Sequence, residues 1–81
     1  MNNFVIYCNY GEFLRIQNKH QEAKQHFLKA KAILKTQDEV DYYKKEIINE
    51  FLGILYFDMN QIEESDKHFN RAKAILEENQ K

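Results

Sequence analysis

With 81 residues, no proline and only two glycines, the chain has too little turn-forming material for a strand-rich fold and is expected to be all-α, a single domain over residues 1–81. Lys and Arg total 12 against 13 for Asp and Glu, which excludes the overall field that holds a nucleic-acid backbone or an anionic membrane. The lone Cys8 cannot close an intrachain disulfide. With no apolar leader and no apolar run of ~20 residues, the expectation is a soluble, cytoplasmic protein.

In chain order, the first helix is expected near 3–17, where Tyr7, Tyr10, Gly11 and Leu14 fall on one stripe at helical spacing. A polar break at Gln17–Gln21 follows, and Asn18 suits the left-handed residue that ends a helix. The second helix, near 20–35, carries Ala23, Phe27, Ala30 and Leu34 on its stripe. Thr36-Gln37-Asp38-Glu39 has the pattern of a capping box, with Asp38 an equally good cap, and predicts a third helix near 38–58. That helix has Ile48, Leu52, Gly53 and Tyr56 on one stripe and further apolar residues almost all round. Asn60 marks a second turn before a fourth helix near 62–79, with Ser65, Phe69, Ala72 and Leu76.

Shifting the chain by 42 positions pairs Phe4–Glu39 with Glu46–Lys81. Identities accumulate at Ile6/Ile48, Gly11/Gly53, Asn18/Asn60, Glu22/Glu64, His26/His68 and Phe27/Phe69, and continue at Ala30/Ala72, Lys31/Lys73, Ala32/Ala74, Ile33/Ile75 and Leu34/Leu76. Each repeat is a helical hairpin, about 4–37 and about 46–79, and a repeat of this size means stacked supersecondary units.

The order bulky-x-x-bulky-Gly-x-x-bulky, then small-x-x-x-aromatic-x-x-Ala, stands as Tyr7, Tyr10, Gly11, Leu14, Ala23, Phe27, Ala30 and again as Asn49, Leu52, Gly53, Tyr56, Ser65, Phe69, Ala72. This pattern resembles the tetratricopeptide repeat over nearly the whole chain. The resemblance implies two hairpins of a short α-solenoid and a non-catalytic scaffold that binds proteins or peptides. The chain departs from the family in Asn49, in lacking the terminal proline, and in a repeat of 42 residues instead of ~34, which predicts longer helices around 36–38. Long repeats of this kind look like those of kinesin light chains and bacterial peptide-sensing regulators. A fragment of such a regulator is the alternative within the fold, and a metal-binding or enzyme accessory subunit is the alternative outside it.

No nucleophile–base pair, carboxylate pair or phosphate-cradling glycine loop is present, so no catalytic residue and no cofactor are expected. Glu22/His26 and Glu64/His68 lie at i, i+4. Two such ligands fall short of a zinc site, and the expected role is a half-buried imidazole with the carboxylate as its ion-pair partner. The lysines of the second and fourth helices scatter over polar faces among acids, which gives no nucleic-acid stripe.

In the tetratricopeptide fold the first helices line a concave groove. The matching positions here are Val5, Cys8, Glu12, Arg15 and Ile16, then Ile47, Glu50, Ile54, Phe57 and Asp58. Cys8 and Glu12 stand where chaperone-tail adaptors of the family place residues that grip a terminal carboxylate, so that clamp is not expected. The resemblance implies an apolar groove edged by Glu12, Glu50 and Asp58 with Arg15 opposing, suited to an apolar helix or strand carrying basic residues. The third helix has more apolar surface than one hairpin covers, and solenoids generally need three or more repeats. A symmetric homodimer is therefore expected through Phe51, Ile54, Leu55 and Phe57, aided by Phe13 or Ile16.

Overall fold

The computed structural model describes residues 3–79, which form four helices: α1 (Asn3–Ile16), α2 (His20–Lys35), α3 (Tyr42–Asp58) and α4 (Ile62–Asn79). No strand occurs among the described residues. The expected span 1–81 also takes in residues 1, 2, 80 and 81, which lie outside them.

Both hairpin turns are built the same way. Asn18 and Asn60 adopt φ of 64° and 61°, the left-handed conformation expected of them. In the first turn the Asn18 N–H donates to the Arg15 carbonyl and the Lys19 N–H reaches back to that of Leu14, each at 2.9 Å. In the second, Asn60 N–H donates to Phe57 and Gln61 N–H to Tyr56, at 2.9 and 2.8 Å. These paired bonds satisfy carbonyls that a helix end would otherwise leave open.

The connection between hairpins corrects the expected cap. Thr36 closes α2, its hydroxyl donating to the Ile33 carbonyl at 2.8 Å, so it is turned away from α3. Neither Thr36 nor Asp38 starts the next helix. Asp41 does, in an extended conformation, with its carboxylate accepting from the Lys44 N–H at 3.0 Å. Part of the extra repeat length therefore goes into the non-helical segment 36–41, while α3 starts later than expected.

α1 packs on α2 and α3 on α4, and the two hairpins meet chiefly through α2 and α3. The resulting slab is 37 × 31 × 15 Å, and its short dimension fits two layers of helices. Close approach within each hairpin depends on glycine. A β-carbon on Gly11 would stand 2.6 Å from Phe27 Cε1, and one on Gly53 2.8 Å from Phe69 Cε1. Between the hairpins, the Phe27 ring stacks on Phe51 at 5.4 Å with the planes 5° apart. The core draws on Phe4, Cys8, Leu14, Phe27, Ile48, Leu52 and Leu55.

Candidate partner-docking face

α1 and α3 lie side by side, and a depression of about 320 Å³ runs between their N-terminal halves. Tyr43, Ile47 and Phe51, spaced one turn apart on α3, face Phe4, Val5, Cys8 and Asn9 of α1 across it. Three expected groove residues, Val5, Cys8 and Ile47, are thus brought together. Phe4, Asn9, Tyr43 and Lys44 were missed; the i, i+4, i+8 spacing of Tyr43, Ile47 and Phe51 is the signal that could have found the α3 side. Val5 and Tyr43 are exposed, while Cys8 forms part of the floor. Burial pushes the Cys8 thiol up to about 11, so it is protonated and a poor nucleophile at neutral pH. Lys44 at the rim is engaged already, over the Phe4 ring at 5.6 Å and 3.8 Å from the Asp41 carboxylate.

At the C-terminal ends of the same helices, Arg15 joins two other expected groove residues, Glu12 and Asp58, into one cluster. Its Nε and Nη2 donate to the Glu12 carboxylate at 2.6 and 3.0 Å, and its Nη1 donates to Asp58 at 2.6 Å across the hairpin boundary. The Glu12 hydrogen bonds, then that of Asp58, hold the guanidinium well above its ordinary range. The two carboxylates therefore share one positive charge, and the cluster keeps one uncompensated negative charge. Ile16, Ile54 and Phe57 remain exposed, at 69, 37 and 62%.

Two expected positions are corrected. Glu50 lines a different depression, with Glu46 and the α4 residues Phe69, Ala72, Lys73 and Leu76. It does not line the groove between α1 and α3. With Glu50 elsewhere and Glu12 and Asp58 sharing Arg15, the acidic edge is reduced to a single net negative charge at the C-terminal ends of α1 and α3. Leu55, expected on the self-association patch, is fully buried in the core, and Phe51 is half-buried against Phe27. Both are held there because α3 packs on α2 as well as on α4. Phe13 is exposed.

The duplicated histidines also differ from expectation. His26 and His68 each donate Nδ1–H to the backbone carbonyl of Glu22 or Glu64, at 2.9 and 2.8 Å, and the Glu64 carboxylate pairs with Lys67 instead. The Glu side chains are not their partners. The imidazoles pack on tyrosines, His26 on Tyr10 at 4.9 Å and His68 on Tyr56 at 5.1 Å. Among the described residues no three His, Cys, Asp or Glu side chains converge as a metal site would require. None of the described helices is long and apolar enough to cross a membrane.

Two hairpins repeated in register, with first helices lining an apolar groove, define a helical-repeat interaction protein. A family model for the tetratricopeptide repeat matches residues 3–78, and the chain belongs to that family. Its members are in general protein–protein interaction modules. No match was found among curated proteins or among solved structures.

Proposed function

We propose that this chain is a non-catalytic docking module whose α1–α3 groove takes an apolar helix or extended segment of a protein partner. The observation that carries this reading is the depression lined by Phe4, Val5, Cys8, Tyr43, Ile47 and Phe51, which is apolar, open and flanked by charges already paired within the chain. Burial of a few apolar side chains there supplies the affinity, at ~25 cal/mol per Å² of apolar surface removed from water. The exposed side chains of Ile54 and Phe57 on the same helix extend the contact toward the Arg15 cluster.

The test is selection of binders from a peptide library, followed by binding measurements on Val5→Glu and Phe57→Glu. Both side chains are exposed, so their replacement leaves the fold intact. Selected peptides should be predominantly apolar, and both variants should weaken them at least about tenfold. Binding unaffected by either change would place the partner elsewhere and refute the groove.

A further inference from the structure

The internal repeat allows each end of the molecule to be compared with its interior. On α1, Ile6, Tyr10 and Phe13 are 46, 51 and 53% exposed, whereas their equivalents on α3, Ile48, Leu52 and Leu55, are exposed by 1% at most. Both helices pack on the second helix of their own hairpin. Only α3 also lies against a preceding second helix, α2. The other end shows the converse. Phe27 is fully buried between the Gly11 site and the Phe51 ring, while its equivalent Phe69 sits on Gly53 and is 38% exposed on its other side. Among the described residues, the α1 face and the outer α4 face are thus the two halves of the α2–α3 contact, each without its mate.

We infer that the chain associates head to tail, the α1 face of one copy seating on the outer α3–α4 face of a second and repeating between molecules the α2–α3 contact made within each. Such a contact is heterologous and adds copies in one direction, unlike the symmetric pairing expected from the sequence.

Two matched departures from the repeat identify a second copy as the occupant. Inside the chain, Phe51 of α3 shares one apolar depression with Phe4 and Cys8. At the ends, the equivalent of Phe51 is Asn9 on α1, and the equivalents of Phe4 and Cys8 are Glu46 and Glu50. Glu46 and Glu50 border the depression of about 210 Å³ that also contains Phe69, Ala72 and Leu76. A wholly apolar helix would bury two carboxylates beside the single cation Lys73 of the same depression, which is costly. α1 instead brings the Asn9 amide, a donor, to the place where acceptors replace apolar groups, while Ile6, Tyr10 and Phe13 meet the apolar remainder. Desolvation and the neighbouring Glu46 already hold the Glu50 carboxyl above its ordinary range, a disadvantage that a hydrogen-bond donor relieves.

The test is sedimentation of the full chain from about 1 µM to about 1 mM, a range spanning micromolar to millimolar affinity, with two variants whose changed side chains are exposed. Ile6→Glu blocks the α1 end and Leu76→Glu the α4 end, and circular dichroism checks that both stay helical. The wild type should grow in mass with concentration, beyond a dimer, and each variant alone should associate at least about tenfold more weakly. Mixed, the two variants should form a one-to-one dimer and stop there, because the pair retains one intact α1 end and one intact α4 end. A wild type that stays monomeric throughout overturns the proposal. So does a dimer that both variants retain, or a mixture that shows no heterodimer.

Discussion

The ring of Phe27 lies against the backbone of Gly11, with its Cε1 2.6 Å from the place a β-carbon would occupy, and the same ring stacks on Phe51. Phe69 makes the same approach to Gly53 at 2.8 Å, but part of its ring meets solvent. Identical residues in equivalent helices are therefore confined to different degrees.

Alanine at these two glycines should separate the cases. In a helix interior Gly→Ala gains up to ~1 kcal/mol from propensity, while overpacking costs ~1–3 kcal/mol. At Gly11 the trapped Phe27 cannot retreat, and Gly11→Ala should destabilise the protein by about 1–2 kcal/mol. Gly53→Ala should lie within about 0.5 kcal/mol of wild type, since Phe69 can swing outward. Urea unfolding of both variants gives the comparison, and equal losses would show that confinement by Phe51 is immaterial.

The left-handed turns offer a second check. Asn18→Ala and Asn60→Ala place a β-carbon at φ of 64° and 61° without the local hydrogen bonding of asparagine, and each should cost about 1 kcal/mol. Glycine at either position should restore or exceed wild-type stability. Thermal melting of the four single variants tests this, and an alanine variant as stable as the glycine one would speak against the turn geometry.

His68 makes stability depend on pH. Burial first, then the cations Lys31 and Arg71, lower its pKa, outweighing the bond to the Glu64 carbonyl and the Glu64 carboxylate charge, which raise it. The folded protein thus binds fewer protons at this site than the unfolded chain. Its contribution is favourable above the unfolded value of ~6.5 and is lost as pH falls below it. Wild type should lose more stability between pH 7.5 and pH 5 than His68→Gln does, by denaturant unfolding at each pH. Parallel pH profiles would rule out the imidazole as the source.

The groove floor can be probed through Cys8. With the thiol buried and pushed up to about 11, alkylation of the native protein at neutral pH should be at least about tenfold slower than in urea. Native labelling as fast as in urea would mean that the α1–α3 groove opens to its floor readily.

Helical periodicity and the turns at Asn18 and Asn60 could be read from the sequence by itself, because each depends on the chemistry of residues near one another in the chain. Identical pairs such as Phe27/Phe69 also disclosed the two stacked hairpins. What followed from contacts between helices could not be read that way. Thr36 and Asp38 match a cap as well as Asp41 does, and the choice fell to Asp41 once α2 had claimed the Thr36 hydroxyl for its own end. Glu50 and Leu55 both lie on the largely apolar α3. One borders an outer depression and the other is enclosed, because α2 and α4 press on that helix from different sides. Arg15 binds Asp58 across the hairpin boundary while also holding Glu12, which weakens the acidic edge that the residues taken singly implied. Local sequence determines which segments form helices and where they turn, since that depends on short-range sterics and hydrogen bonds. Which face of a helix is left for a partner depends on packing between distant segments, and that was decided only when the hairpins met.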